Sequence, residues 1–261
     1  MRNALLLSAL LSSTAAASVP PDKVRPVLPK DGAAVWPEIK AFPRDMWGSF
    51  KQQGRVESVY ILLAAAGGAS IARFGEQTYF DDYFVADTLR RHRPLGPEAV
   101  EFGAVIGHSM YLLPAMAGTY FAGAYLEHGS MREFGLIGFE ALALAGMQTL
   151  ALKYSVHRLR PDKTDYAAFP SGHSSASFAL ATVAGSRWGW KVGVPAGALA
   201  SFVAYTRMEG QSHYLSDVVF GAGLGIVSGR AVFQQHRKDR PGKYAFAPFV
   251  TPGGGGVRMT F

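Results

Sequence analysis

The chain has 261 residues, 49% of them hydrophobic, with no cysteine and a formal net charge of +7. That apolar content excludes a disordered chain, and the missing cysteine excludes disulfides, thiolate nucleophiles and Cys-ligated metals. The positive balance points to anionic partners such as phosphate esters or anionic lipid surfaces. Nucleic acid is disfavoured, because no dense basic run with interleaved aromatics and no zinc-finger spacing is present.

In chain order, Arg2 gives a short positive start, residues 4–11 form an apolar stretch, and Thr14 to Ala17 supply small residues. This order predicts a signal peptide over 1–17, cut after Ala17; a retained N-terminal anchor is the alternative. Residues 18–46 hold six prolines and no apolar periodicity, which predicts an extended arm. Apolar stretches at 59–74, 104–126, 135–152, 174–186, 192–206 and 217–233 are rich in Ala, Leu and Gly and read as helices. The expected architecture is therefore all-α, a compact bundle of about six core helices over 47–236. An irregular Gly-rich tail is expected over 237–261.

Three short motifs carry chemistry. Lys153 and Arg160 lie seven residues apart, close to two helical turns and roughly 10 Å along an axis, so both can reach one anion. Pro161 marks a helix end. Alone, such a pair is an ordinary solvated basic face. Next, Pro170-Ser171-Gly172-His173 directly precedes an apolar helix. Ser171 is a natural cap, and free N–H groups at a helix start bind phosphate. Gly172 lets an oxyanion approach without a Cβ in the way, and His173 stands beside it as a proton donor. An ordinary capped turn is the plain alternative. Last, His213 and Asp217 are i and i+4 neighbours. A carboxylate holding one ring nitrogen frees the other as a nucleophile. Arg207 adds a planar fork suited to two phosphate oxygens.

Taken together, the order and spacing of these motifs resemble the type 2 phosphatidic acid phosphatase superfamily, which includes bacterial acid phosphatases, lipid phosphate phosphatases and vanadium haloperoxidases. Its pattern is Lys, six residues, Arg-Pro; then Pro-Ser-Gly-His; then Ser-Arg, five residues, His, three residues, Asp. The chain departs from it at Thr206, where serine is usual. The resemblance implies a phosphoric monoester hydrolase with a phosphohistidine intermediate. His213 attacks phosphorus, Asp217 supports its ring, and His173 protonates the leaving oxygen and then activates water. Lys153, Arg160, Ser171, Gly172 and Arg207 cradle the phosphoryl oxygens. No cofactor or metal is implied, and vanadate is expected to act as a phosphate-mimicking inhibitor.

Lipid phosphates or diphosphates are the expected substrates. Soluble phosphomonoesters are the alternative, and vanadate-dependent haloperoxidase chemistry is a remote third. His108 is expected in the core and His157 at the pocket rim. If the leader is cleaved, three spans before Lys153 would put the site on the cytoplasmic side, which conflicts with export. Glu140 and His108 within apolar stretches, and a mean hydropathy of only +0.10, favour a soluble or peripheral periplasmic bundle over an integral membrane protein.

Overall fold

The computed structural model describes residues 35–74, 82–238, 245–251 and 254–260. Within them the chain forms α1 (Val35–Gln53), α2 (Val56–Phe74), α3 (Asp82–His92), α4 (Gly96–Ile106) and α5 (Ser109–Tyr125). These are followed by α6 (Gly129–Val156), α7 (Gly172–Trp188), α8 (Trp190–Glu209) and α9 (Leu215–Lys238). The all-α class holds. The signal-peptide segment 1–17 and most of the expected arm lie outside the described residues.

Part of that arm is helical instead of extended. Pro37 sits in the first turn of α1, where its missing N–H would be unbonded anyway, and only Pro43 falls inside the helix. Met46, Ser49 and Gln53 then repeat at helical spacing and are buried against the bundle. Proline count hid this amphipathic face. The C-terminal tail also differs from the irregular segment expected. Its backbone pairs as an antiparallel hairpin, β1 (Ala245–Thr251) against β2 (Gly254–Thr260), in the register Ala245↔Thr260 to Thr251↔Gly254.

Helix α9 is the axis of the bundle and touches α1, α2, α6, α7 and α8. Its closest approach is to α7, and sequence explains it. Gly221, Gly225 and Gly229 recur every four residues on one face, a small-residue seam of the kind that lets helix backbones meet. A Cβ at Gly221 would stand 2.6 Å from the Ser171 carbonyl oxygen, and one at Gly229 2.6 Å from that of Ala179. The seam therefore draws the Ser171 turn onto the start of α9. Met46, Ile137, Ala141, Leu144, Ala145, Ala179, Val183 and Val232 close the core where α1, α6, α7 and α9 meet.

Two helices are long and apolar enough to cross a membrane, Gly129–Val156 and Leu215–Arg237; α1 and α2, bent by 68° at their junction, make a third if they count as one span. Their outward faces are apolar too, with Leu63 62% and Tyr154 76% exposed, the pattern of helices with apolar surroundings on all sides. The preference for a soluble or peripheral bundle is therefore corrected. Its two local supports fail on inspection of burial. Glu140 is 1% exposed and pairs with His236 at 2.7 Å, so its charge faces the interior. His108 lies at the start of α5 and is not inside a helix. Further buried pairs, Arg187–Glu133 at 2.8 Å and Arg132–Glu38 at 2.9 Å, lower the mean hydropathy without exposing charge to lipid.

Candidate active site

The three motifs converge at one end of the bundle, where α6 ends and α9 begins. The chain leaves α6 through His157 in the left-handed conformation (φ 50°), and the loop to α7 is then tied to the other motifs by main-chain bonds. Lys153 Nζ donates to the Ala167 carbonyl. Ser171 N–H donates to the Asp217 carbonyl at 3.0 Å. The N–H groups of Ser212 and His213 donate to the Arg207 carbonyl at 3.0 and 3.2 Å. Lys153 is thus tied to the loop before α7, and Ser171 at the start of α7 to Asp217 at the start of α9.

Ser171 is the N-cap of α7, its hydroxyl accepting from Ser174 N–H at 3.4 Å, and Gly172 opens the helix. A Cβ on Gly172 would meet only Thr149 Cγ2 at an ordinary 3.6 Å, so glycine is not demanded by packing there.

Arg207 is 7% exposed. One Nη2 donates to the Val100 carbonyl at 2.8 Å, while its Nε is buried without a partner. No carboxylate among the described residues pairs with it. Glu209, two residues on, is turned away to accept from Leu95 and Gly96 N–H at the start of α4. Burial and the neighbouring Arg160 both pull the Arg207 pKa down. Leaving a buried charge uncompensated costs several kcal/mol, which is the condition of a site built to be completed by an anion. Arg160 Nε meanwhile donates to Asp165 at 2.7 Å in a partly exposed pair.

Both histidines are held neutral. Burial pushes His173 down to about 3, with the Arg207 charge, His108 and His213 adding to it. Burial likewise lowers His213, with Lys153 and Arg160 acting in the same direction against Asp217. Arg207 and His213 thus act on the His173 ring, and Lys153 and Arg160 on the His213 ring.

The structure differs from expectation at Asp217. His213 Nδ1 lies 2.6 Å from the Ala168 carbonyl, whereas Asp217 Oδ2 is 3.8 Å away and beyond hydrogen-bond reach. A main-chain carbonyl can only accept, so Nδ1 carries the proton and Nε2 keeps the lone pair. The tautomer is set by Ala168, and Asp217 acts on the ring through space. Its own oxygens accept from Tyr214 N–H at 2.8 Å and from Arg158 Nη1 at 2.6 Å.

Arg158 was missed by the motif reading. Its other branch donates to Asp82 Oδ2 at 2.7 Å, and Asp82 also accepts from Ser216 N–H and Oγ at 2.8 and 2.6 Å. Asp82 and Asp217 are both fully buried. Burial works against the Arg158 charge, but the two carboxylates outweigh it and hold its pKa above normal. His108 is exposed and not in the core: it caps α5, accepting from Met110 N–H at 3.0 Å, and its ring stands edge-on to His173 at 5.1 Å. His157 is exposed and stacks on Tyr166 at 5.5 Å. Thr206 is fully buried, its hydroxyl donating to the Val203 carbonyl at 2.8 Å, so the departure from serine lies in packing.

An all-helical bundle with an anion cup of this composition defines a class. A model of the PAP2 superfamily matches residues 134–241, a segment that contains all three motifs, and the resemblance to that superfamily therefore holds. Among curated proteins, the chain is 36% identical over 154 residues to a lipid A 1-phosphatase of Porphyromonas gingivalis, a match covering 56% of this chain and 33% of that protein. The chain thus spans about a third of the length of that relative. Among solved structures, a transmembrane PAP2-type phosphatidylglycerolphosphate phosphatase from Bacillus subtilis shares the fold. Its TM-score is 0.56 at 22% identity, over 71% of this chain and 97% of that one. The shared fold is that of a transmembrane protein, in line with the spans of α6 and α9.

Proposed function

We propose that the chain hydrolyses lipid phosphate monoesters at a membrane surface through a phosphohistidine intermediate. The observation that carries this reading is Arg207, a buried guanidinium with an unpartnered Nε and no carboxylate partner among the described residues, close enough to His173 to lower its pKa. The names of the two relatives, a lipid A 1-phosphatase and a phosphatidylglycerolphosphate phosphatase, support a lipid phosphate as substrate. So does the apolar surface next to the cup, where Tyr154, Met110 and Tyr111 are exposed.

In the proposed sequence the phosphoryl group binds against Lys153, Arg160, Arg207 and the N–H groups that open α7. His213 Nε2 attacks phosphorus with its lone pair while the ester oxygen departs, taking a proton from Nδ1 of the protonated His173, whose Nε2–H is held by the Ala104 carbonyl at 3.1 Å. The bound anion favours protonation of His173 by offsetting the Arg207 charge, which adds to burial in lowering its pKa. Water then attacks the phosphohistidine, giving its proton to His173, and inorganic phosphate leaves with His213 restored. Preorganised donors of this kind contribute about 3–4 kcal/mol each in the transition state. Vanadate is proposed to compete for the same cup.

The test is phosphate release from phosphatidic acid in mixed micelles, compared with a short soluble phosphomonoester. The lipid is expected to be the better substrate in kcat/KM, and His213→Ala to remove turnover on both. Equal turnover on both substrates contradicts the lipid assignment, and near-normal turnover in the variant contradicts the mechanism.

A further inference from the structure

The loops that build the cup have a second side. Asp162 N–H donates to the Gln211 carbonyl at 3.1 Å, and Gln211 Nε2 donates to the Ala86 carbonyl at 3.0 Å. These bonds join the segment after Arg160-Pro161, the turn between Arg207 and His213, and α3 into one wall. Against it lies a cleft of about 480 Å³ whose lining includes Arg90, Arg93, Lys163, Asp162 and Gln211. That size falls in the range of small-ligand sites, roughly 300–1,000 Å³.

Its charge is unbalanced. Asp162 is the one carboxylate in the lining, and it accepts from Thr164 N–H and Oγ1 at 3.0 and 2.7 Å. Arg90 shares Asp87 with Arg91. Neither Arg93 nor Lys163 pairs with a carboxylate among the described residues, and both are exposed. Arg93, Lys163 and Gln211 all hold positive φ (40°, 62° and 56°), a conformation that bulky L-residues adopt at a cost. The loops that line the cleft connect to the end of α6 and the start of α9, the two helices long and apolar enough to cross a membrane.

We propose that this cleft holds a second phosphate group beside the one being cleaved, carried by the same lipid or by a neighbouring anionic lipid. The inference rests on the phosphatase reading above. Arginine supplies a planar fork for two phosphate oxygens and lysine a point charge, and none of the residues assigned to the reaction lines the cleft.

The double variant Arg93→Gln/Lys163→Gln tests it, with an unchanged thermal transition as the fold control. Turnover is measured on phosphatidic acid, with one phosphate, and on phosphatidylglycerol phosphate, with two, in phosphatidylcholine vesicles with and without added phosphatidylglycerol. If the second phosphate belongs to the substrate, KM for the two-phosphate lipid rises about tenfold in neutral vesicles with kcat unchanged. If it belongs to a neighbour, KM for phosphatidic acid rises only in vesicles containing phosphatidylglycerol. A KM unchanged for both lipids in both vesicles overturns the proposal. A binding arm avoids turnover altogether: in a His213→Ala background, the two changes are expected to weaken binding of phosphatidylglycerol phosphate about tenfold in neutral vesicles if the second phosphate is its own, or binding of phosphatidic acid about tenfold in vesicles containing phosphatidylglycerol if it is a neighbour's, and unchanged affinity in both overturns the cleft. Should the unaltered protein hydrolyse neither lipid, the phosphatase reading falls, and this binding result alone decides the cleft.

Discussion

Arg158 reaches from the first motif to the Asp217 carboxylate of the third at 2.6 Å, and with its other branch to Asp82 at 2.7 Å. One guanidinium thus holds two fully buried carboxylates. Its ring neighbour Tyr214, 4.2 Å from the Arg158 carbon, shields the group.

Removing that cation leaves two buried negative charges facing each other. Arg158→Met is expected to lower stability by about 3–5 kcal/mol, read as a fall in the thermal transition in detergent. Adding Asp82→Asn is expected to restore part of it, because one of the stranded charges is gone. Additive losses in the double variant would show that the two residues do not act as a pair.

Gly172 separates packing from chemistry. A methyl group there meets only Thr149 Cγ2 at 3.6 Å, so Gly172→Ala is expected to fold with an unchanged thermal transition. In the proposed binding mode the same methyl would stand where phosphoryl oxygens approach the N–H groups of α7, and a loss of about a hundredfold in kcat/KM is expected, comparable to removing one oxyanion donor. Full activity in a folded Gly172→Ala protein would place the anion elsewhere.

Anion binding should carry a proton with it. His173 is depressed to about 3 by burial, Arg207 and its histidine neighbours. A bound anion offsets the cationic part of that field and raises the value, so the bound state holds more protons than the free state. Affinity is then expected to rise as pH falls toward about 3. Sulfate, which does not titrate in this range, is the suitable probe: its inhibition constant should fall as pH drops from about 6 toward 3. His173→Asn should flatten the slope. The same depression has a stability consequence of defined sign. The unfolded chain takes up protons near the ordinary histidine value of about 6.5, while the folded chain does not. Stability is therefore full above that value and is lost as pH drops below it.

How much of this was legible in the sequence depended on what kind of atom does the work. Lys153, Arg160, His173, Arg207 and His213 could be named because their chemistry resides in side chains at fixed spacing. The partner that fixes the His213 tautomer could not, because it is the main-chain carbonyl of Ala168, and any residue would supply one. Asp82 lies 76 residues from Arg158 with no local pattern to link them, although Arg158 itself stood two positions before Arg160 as a basic residue without an assigned role. Membrane placement was misread for a related reason. Glu140 counts against a span only if it faces lipid, and its pairing with His236, 96 residues away, is a tertiary fact. Helix α1 was misread because prolines were weighed by number, whereas Pro37 stands in the one turn that tolerates it.

The most direct test of the central claim is to look for the covalent intermediate. The protein is mixed with ³²P-labelled phosphatidic acid, quenched in alkaline detergent within the first turnover, and the protein band is counted and mapped. Acid-labile, alkali-stable label is expected on His213, absent in His213→Ala and accumulating in His173→Ala when an activated aryl phosphate is the substrate. Label carried by another residue, or undiminished in His213→Ala, would contradict that claim.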